Sequence, residues 1–395
     1  MAGESDIETT AAALRLRLAQ QLEKDGRLRS PGWRAAVEAV PRHLFIPRFY
    51  RESDAPGVTT WEPVTPQNIG QDEWLRLVYT DETWMTQFDG HDIDWTDPKP
   101  ISNATPTSSS TLPSLVVRML EDLDVQDGMN VLEIGTGTGY STALMCHRLG
   151  SDSVTSIETD EGVARRARQA LVGSGYTPHL LVGDGRAGHE DGASYDRLIA
   201  TCGFRNIPPA WLEQVLPGGV ILTTLRGWMR SLGLVKLIVT GDSASGWFSE
   251  DDPSFMIARQ QEAPESLGTV PGPADGTKRK ATYGPAALTE PGPAFMAQLA
   301  APDARFFSMA VDGGPVSTFV LDSVTDSFAV LTATDSGWQV RQGGSRRLWD
   351  IIESAVATWE EYGAPSTAAF GVTVSRGEQV VWLGNPSGPQ WPLPS

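Results

Sequence analysis

The chain has 395 residues, 40% hydrophobic and 20% charged, with a formal charge of −18 at pH 7. That length exceeds one small domain, and the acidic balance excludes nucleic acid and anionic membrane as natural partners unless a local basic patch exists. Only two cysteines, Cys146 and Cys202, and five scattered histidines occur, so reduced thiols and no catalytic metal are expected.

The polar segment from Met1 to Thr10 has no signal-peptide core, and no stretch is long enough to span a bilayer, so a cytoplasmic location is expected. Residues 6–25 carry Leu14, Leu16, Leu18 and Leu22 at helical spacing, and a second helix is expected from Pro31 to Val40. The two prolines of Val40-Pro-Arg-His-Leu-Phe-Ile-Pro47 then break helicity. Residues 48–106, with Trp61, Trp74, Trp84 and Trp95 and weak periodicity, read as irregular cover over a cleft rather than a sheet of their own.

From Pro113 the pattern is clean: Leu112, Leu115, Val116, Met119, Leu120 and Leu123 recur at helical spacing. Strands follow at 130–134, 153–158, 179–183, 196–201 and 220–225, with helices at 140–149, 160–171 and 209–216. This alternation implies an α/β fold, a parallel doubly wound sheet with helices on both faces. Seven prolines between Pro253 and Pro293, with the Lys278-Arg-Lys280 cluster, read as a linker or extended connection. Short strands return at 306–311, 317–321, 328–332 and 337–341, followed by a helix at 348–361 and strands at 371–375 and 379–383. The expected organisation is a helical and Trp-rich cover (1–106), a catalytic domain (107–240), a Pro-rich connection (241–303) and a smaller α+β extension (304–395).

The chemistry centres on Leu132-Glu-Ile-Gly-Thr-Gly-Thr-Gly-Tyr140, a strand end, a glycine-rich turn and a helix start. Gly135, Gly137 and Gly139 let backbone approach a ligand closely, and the free N–H groups of the helix start suit a carboxylate such as that of methionine. Taken alone the turn is equally a plain tight turn. Glu158 ends the next strand and can accept both ribose hydroxyls, although it, Thr159 or Asp160 can instead cap the following helix. Asp184, ending the third strand in Val182-Gly-Asp-Gly-Arg186, can accept an adenine amino group or serve as a turn aspartate. Together these features favour S-adenosylmethionine over a nicotinamide cofactor, which calls for GxGxxG and a pyrophosphate site.

Arg42-His-Leu-Phe-Ile-Pro47, Val131-Leu-Glu-Ile-Gly-Thr-Gly-Thr-Gly-Tyr140, Val182-Gly-Asp-Gly185 and Leu216-Pro-Gly-Gly219 resemble the protein-L-isoaspartate O-methyltransferases over roughly residues 31–225. The resemblance implies a class I (Rossmann-like) S-adenosylmethionine-dependent enzyme that esterifies an aspartyl-type carboxylate in a polypeptide. It puts Glu133, Gly135 and Gly137 near the cofactor's methionine moiety, Glu158 at the ribose, and Asp184 and Gly185 at the adenine, with Thr136, Gly139 and Tyr140 also in the cofactor site. Where that family has Ser-x-Pro, this chain reads Thr107-Ser-Ser-Ser-Thr-Leu-Pro113, so Ser109, Ser110 and Thr111 are the candidate catalytic hydroxyls. The repair enzymes also end soon after the sheet, whereas this chain continues for about 170 residues.

That continuation, through Asp252-Pro-Ser-Phe-Met256, Gly343-Gly-Ser-Arg-Arg-Leu-Trp349 and Phe370-Gly-Val-Thr-Val374, resembles actinobacterial homologues encoded with lanthipeptides or ATP-grasp-crosslinked peptides. The resemblance implies methylation of an aspartate in a constrained ribosomally made peptide, with closure to an aspartimide and possible hydrolysis to isoaspartate. The alternative is repair of isoaspartate in damaged proteins. A small-molecule methyltransferase and a non-enzymatic peptide-binding module are further rivals. A carboxylate is already ionised at pH 7, so positioning and exclusion of water matter more than a general base. Arg42, Arg48 and Arg51 are candidates to receive an acidic peptide, or are simply solvated arginines. A peptide partner and a monomer are expected.

Overall fold

The computed structural model describes residues 2–53, 58–251, 253–268, 270–272, 274–310 and 315–394, without the side chains of residues 2–6. Asp252, in the second set of motifs, and Val311, at the end of the expected strand 306–311, lie outside the described residues. The chain forms two compact units, Met1–Thr201 with Ala210–Leu222, and Cys202–Pro209 with Thr223–Ser395. Residues 223–240, expected in the catalytic domain, therefore fall in the second unit.

In the first unit Val131–Ile134 pairs in parallel with Val154–Glu158 on one side and with Tyr195–Phe204 on the other. His179–Val182 extends the sheet beyond Val154–Glu158, again in parallel. Every residue of Val131–Ile134 and Val154–Glu158 is buried, as strands covered on both faces require. Helices Pro113–Asp122, Tyr140–Leu149 and Glu161–Gly173 supply that cover. The strand order reverses beside Val131–Ile134, and at such a switch point a crevice opens beyond the carboxyl ends of the strands. This is the class I methyltransferase architecture.

The described residues among 49–110 are not irregular cover. They build a five-stranded antiparallel sheet in the order Ile101–Ser102, Thr60–Val64, Phe49–Glu52, Trp84–Phe88, Pro106–Ser110. The strands are short, Pro63 and Pro106 lie within two of them, and the register slips between Met85 and Phe88. Each of these interrupts the alternation by which a strand is recognised. Phe49 packs against Trp84 and Tyr50 against Phe88, and all four rings are buried.

The second unit contains two antiparallel arrays. Ser231–Thr240 and Ser243–Phe248 form a hairpin, extended by Phe370–Val374, Gln379–Leu383 and Gln390–Pro392. The other array runs Thr277–Ala281, Gly337–Gly343, Ser327–Thr334, Val316–Asp322, Ala304–Ala310. The expected Pro-rich connection is thus largely structured. Lys278, Arg279 and Lys280 lie in a paired strand, and Arg279 bridges Asp350 and Glu353. Pro291 opens helix Pro291–Ala300, where a missing N–H costs nothing, so a proline that reads as a linker signal marks a helix start.

Cys146 is buried, its thiol pushed up to about 12 by that burial, and neither it nor Cys202 is bridged. Among the described residues no helix is long and apolar enough to cross a membrane. No cluster of metal-ligating side chains occurs among them either.

Candidate functional site

The turn after Val131–Ile134 runs through Gly135, Gly137 and Gly139 at φ 91°, 56° and 88°, a left-handed path that β-carbons resist. Gly139 enters helix Tyr140–Leu149, and a β-carbon there would touch Ala167 and Leu171, so its smallness lets two helices close on one another. A β-carbon on Gly137 would sit 3.6 Å from the carbonyl oxygen of Ser109. The glycine turn therefore lies directly against the hydroxyl-rich strand Pro106–Ser110.

Glu158 closes the turn from the neighbouring strand. Its Oε2 accepts from Gly137 N at 2.9 Å and its Oε1 from Asp160 N at 3.1 Å. A carboxylate has about four lone-pair positions, and with the Thr159 amide also bonded to it roughly one remains for a ribose hydroxyl. Burial pushes its pKa above the ordinary carboxylate range, with the Gly137 and Asp160 amides pulling the other way. The helix cap is Asp160, whose Oδ1 accepts from Val163 N at 2.9 Å while Oδ2 accepts from Gln87 at 3.0 Å. Glu158 is thereby released from capping, and Gln87 ties the antiparallel sheet to the cofactor turn.

Glu133 does not reach the crevice. It is fully buried, and its carboxylate accepts from Ser141 and Thr142 at 2.5 Å each and from Ser156 at 2.7 Å. Ser156 spends its proton on Glu133, so Thr136 donates to Ser156 across 2.6 Å. Burial raises the Glu133 pKa against the pull of its three hydroxyl partners. Glu133 and Thr136 thus act through the turn, fixing its floor, rather than by touching a ligand. Tyr140 is likewise buried, packed edge-on against Phe45.

Asp184 is half-exposed and its Oδ2 accepts from the Arg186 guanidinium at 2.9 Å from Nε and 2.7 Å from Nη2, with Nε also 3.2 Å from Oδ1, which holds its pKa below the ordinary range. Gly185 is buried, and a β-carbon on it would fall 2.3 Å from Ile134 Cγ2. That glycine brings the third strand's loop onto the first strand. Thr201 donates to the carbonyls of Gly135 and, at 3.3 Å, Ile134, closing the crevice from the reversing side.

Arg42 corrects the sequence reading. It is fully buried and braces the chain instead of meeting an acidic ligand. Nη1 donates to the carbonyls of Val78 (2.6 Å) and Thr80 (3.0 Å), and Nη2 to those of Glu82 (3.1 Å) and Thr111 (3.2 Å). Burial pushes its pKa down to about 10, still well charged at neutral pH. Arg48 and Arg51 are exposed, and Arg48 lies 5.6 Å over the Trp95 ring.

The braced segment carries the hydroxyls. Thr107 donates to Gln87 (3.0 Å) and Ser108 accepts from Thr86 (3.1 Å). Ser110 is buried with its Oγ unpartnered, and Ser109 and Thr111 have half-buried side chains. Leu112 N donates to Thr83 Oγ1 at 3.0 Å and Ser114 N to Asp81 at 2.7 Å, so the 80–83 loop that Arg42 holds also fixes the start of helix Pro113–Asp122. Sequence reasoning missed Ser156, Thr201, Gln87 and Arg186. Ser156 alone gave a signal, as a lone serine among Val, Ile and Glu in a buried strand.

The residues suit S-adenosylmethionine: a left-handed glycine cradle, a buried carboxylate with spare acceptor capacity at the second strand end, and an acidic loop at the third. Residues 78–235 match the family described as protein-L-isoaspartate(D-aspartate) O-methyltransferase. The protein-L-isoaspartate O-methyltransferase 2 of Archaeoglobus fulgidus is 32% identical over 207 residues, covering 52% of this chain and 75% of the relative. That of Thermococcus onnurineus is 29% identical over 223 residues, covering 55% of this chain and 82% of the relative. A solved protein-L-isoaspartate O-methyltransferase, 19% identical, matches with a TM-score of 0.53 across 94% of this chain and all of its own. A continuation beyond the catalytic sheet is therefore not foreign to such folds, contrary to the expectation from length. The chain belongs to the protein-L-isoaspartate O-methyltransferase family and is an S-adenosylmethionine-dependent carboxyl methyltransferase.

Proposed function

We propose that the enzyme methylates the free carboxylate of isoaspartyl residues in polypeptides, opening their return toward aspartate through an imide. The observation that carries this reading is the closeness of Gly137 to the Ser109 carbonyl, which would lie 3.6 Å from a β-carbon on Gly137, and it supports a site in which Ser109, Ser110 and Thr111 face the donor turn. The relatives' names supply the substrate class.

Bound S-adenosylmethionine supplies a sulfonium methyl carbon, to which a carboxylate oxygen bonds in line as the carbon–sulfur bond breaks and the thioether leaves. The protein's part is positional. Glu158 offers its remaining acceptor position to the ribose, while its bond to Gly137 N keeps the turn open. Glu133 and its three hydroxyl partners hold the floor of that turn rigid. Ser109 and Thr111 orient the acceptor oxygen with neutral donors, which avoids the tight ion pair that a cation would form with the nucleophile. Arg42 fixes the carbonyl of Thr111 and so the direction of that segment. Ser109, Ser110, Thr111, Gly135, Gly137, Glu158, Asp184 and Gly185 are the proposed contact residues, with Arg48 and Arg51 at the peptide's approach.

A second reading, esterification of an aspartate in a constrained ribosomally made peptide of an actinobacterium, is supported by the motif resemblance in residues 343–374. The length of the continuation no longer argues for it. The experiment incubates the full chain and labelled donor with an isoaspartyl peptide, its aspartyl isomer and a cyclised aspartyl peptide. Base-labile methyl ester on the isoaspartyl peptide, and little on the others, is expected. Preference for the cyclised aspartyl peptide would replace the repair reading with the second, and no peptide ester at all would remove both.

A further inference from the structure

The second unit holds a pair of arginines that the reaction does not use. Arg205 packs its guanidinium 3.9 Å over the Trp228 ring and donates Nη2 to Asp303 and to Pro302 O at 3.2 Å. Its Nε is buried and has no partner. Arg226 donates Nη1 to Phe255 O at 2.5 Å and Nε, weakly, to Gly227 O at 3.4 Å. Among the described residues it has no carboxylate partner, and burial lowers its pKa. Both arginines line one shallow cleft, about 230 Å³ when counted out to the open solvent at its mouth, whose other walls include Gln298, Leu232, Leu299 and Pro302.

Two guanidinium charges against the single carboxylate of Asp303 leave one positive charge uncompensated in a partly dry site. A desolvated cation of this kind is costly unless an anion joins it. The surroundings were also built to admit it: a β-carbon on Gly203 would fall 2.6 Å from Arg226 Cδ, so only glycine leaves room for that side chain. The apolar walls decide the class of anion. A phosphate has no apolar part to set against Leu232, Leu299 and Pro302, whereas an aliphatic carboxylate presents planar oxygens to the guanidinium forks and methylenes to those walls.

We propose that the Arg205–Arg226 cleft is a binding subsite for an aliphatic carboxylate, either an acidic side chain of a peptide or a free small acid. It stands independently of the methyl-transfer reading, because it needs neither the donor turn nor the hydroxyl segment.

Calorimetry on the full chain tests it with sodium propionate, an acetylated and amidated glutamyl tripeptide, and the same tripeptide with glutamine. Saturable, salt-weakened binding of a carboxylate probe is expected, with none for the glutamine peptide. Equal affinity for propionate and glutamyl peptide supports a small-acid ligand, and preference for the peptide supports a side-chain ligand. Arg226→Gln is expected to weaken binding at least tenfold, while Glu158→Gln leaves it unchanged. Binding within twofold of wild type in folded Arg226→Gln, loss in Glu158→Gln, or no saturable heat from any carboxylate would overturn the proposal. Should Arg226→Gln not fold, Arg226→Lys, which keeps the charge and loses the forked geometry, is read by the same criteria with a smaller expected loss.

Discussion

Arg42 offers the sharpest test of how the site is held. Replacing it with alanine leaves four carbonyls without their donor, one of them, that of Val78, inside the core. A fully desolvated orphan carbonyl costs about 1–3 kcal/mol, and roughly half that where water reaches it. The lost methylenes add about 0.8 kcal/mol each. Against this stands relief from burying a guanidinium without a carboxylate, worth several kcal/mol. The net expectation for Arg42→Ala is a loss of about 4 kcal/mol, and about 2 kcal/mol for Arg42→Lys, which keeps the charge but reaches fewer carbonyls. In urea, with a slope of about 2 kcal/mol/M, the first unit's midpoint should fall by about 2 M and 1 M respectively. Fluorescence and circular dichroism followed together separate that transition from the second unit's. A midpoint within about 0.3 M of wild type, joined to a raised KM for peptide, would refute the brace and return Arg42 to the substrate.

Glu133→Ala should cost about 3 kcal/mol or more by stranding three hydroxyls, whereas Glu133→Gln should be far milder, since the amide can donate to Ser141 where the carboxylate accepted. Because burial raises the native Glu133 pKa, the folded state holds its proton more tightly than the unfolded chain. Wild-type stability should therefore decline as pH rises from about 4.3 through the elevated native value, and Glu133→Gln should lack that component; urea midpoints across this window, unchanged in their difference, would contradict it. Glu158→Gln turns one acceptor into a donor facing a backbone N–H, so S-adenosylhomocysteine affinity by calorimetry should drop about tenfold to a hundredfold, and undiminished affinity would place the ribose elsewhere. Gly185→Ala drives a methyl to 2.3 Å from Ile134 Cγ2 and should cost about 1–3 kcal/mol in thermal unfolding, with a smaller effect meaning that the strand end yields.

The catalytic sheet was legible because its strands are short, β-branched and apolar-rich runs that alternate with helical segments, and helices 140–149 and 348–361 were found to the residue. The antiparallel sheet was not, because Pro63, Pro106 and the slip around Thr86 erase the two-residue period over strands of two to five residues. Arg42 was misread for a physical reason as well. An arginine between prolines looks solvated, and only the fold brings the carbonyls of Val78, Thr80, Glu82 and Thr111 around it. Glu133 was read as a ligand contact because a strand-end acid beside glycines faces the crevice as readily as the core, and the hydroxyls that claim it lie in two separate segments, Ser141 and Thr142 in the following helix and Ser156 in the neighbouring strand. The hydroxyl stretch 107–111 was visible as a composition, but which members are already engaged depends on Thr86 and Gln87 across the sheet.

The near touch between Gly137 and the Ser109 carbonyl has a thermodynamic corollary. On the proposed assignment, in which the glycine turn holds the donor and residues 109–111 the acceptor, whatever settles one loop also settles the other, so the two reactants should enter cooperatively. Reciprocity then requires that a peptide which tightens the enzyme's hold on S-adenosylhomocysteine be held more tightly by the same factor in return.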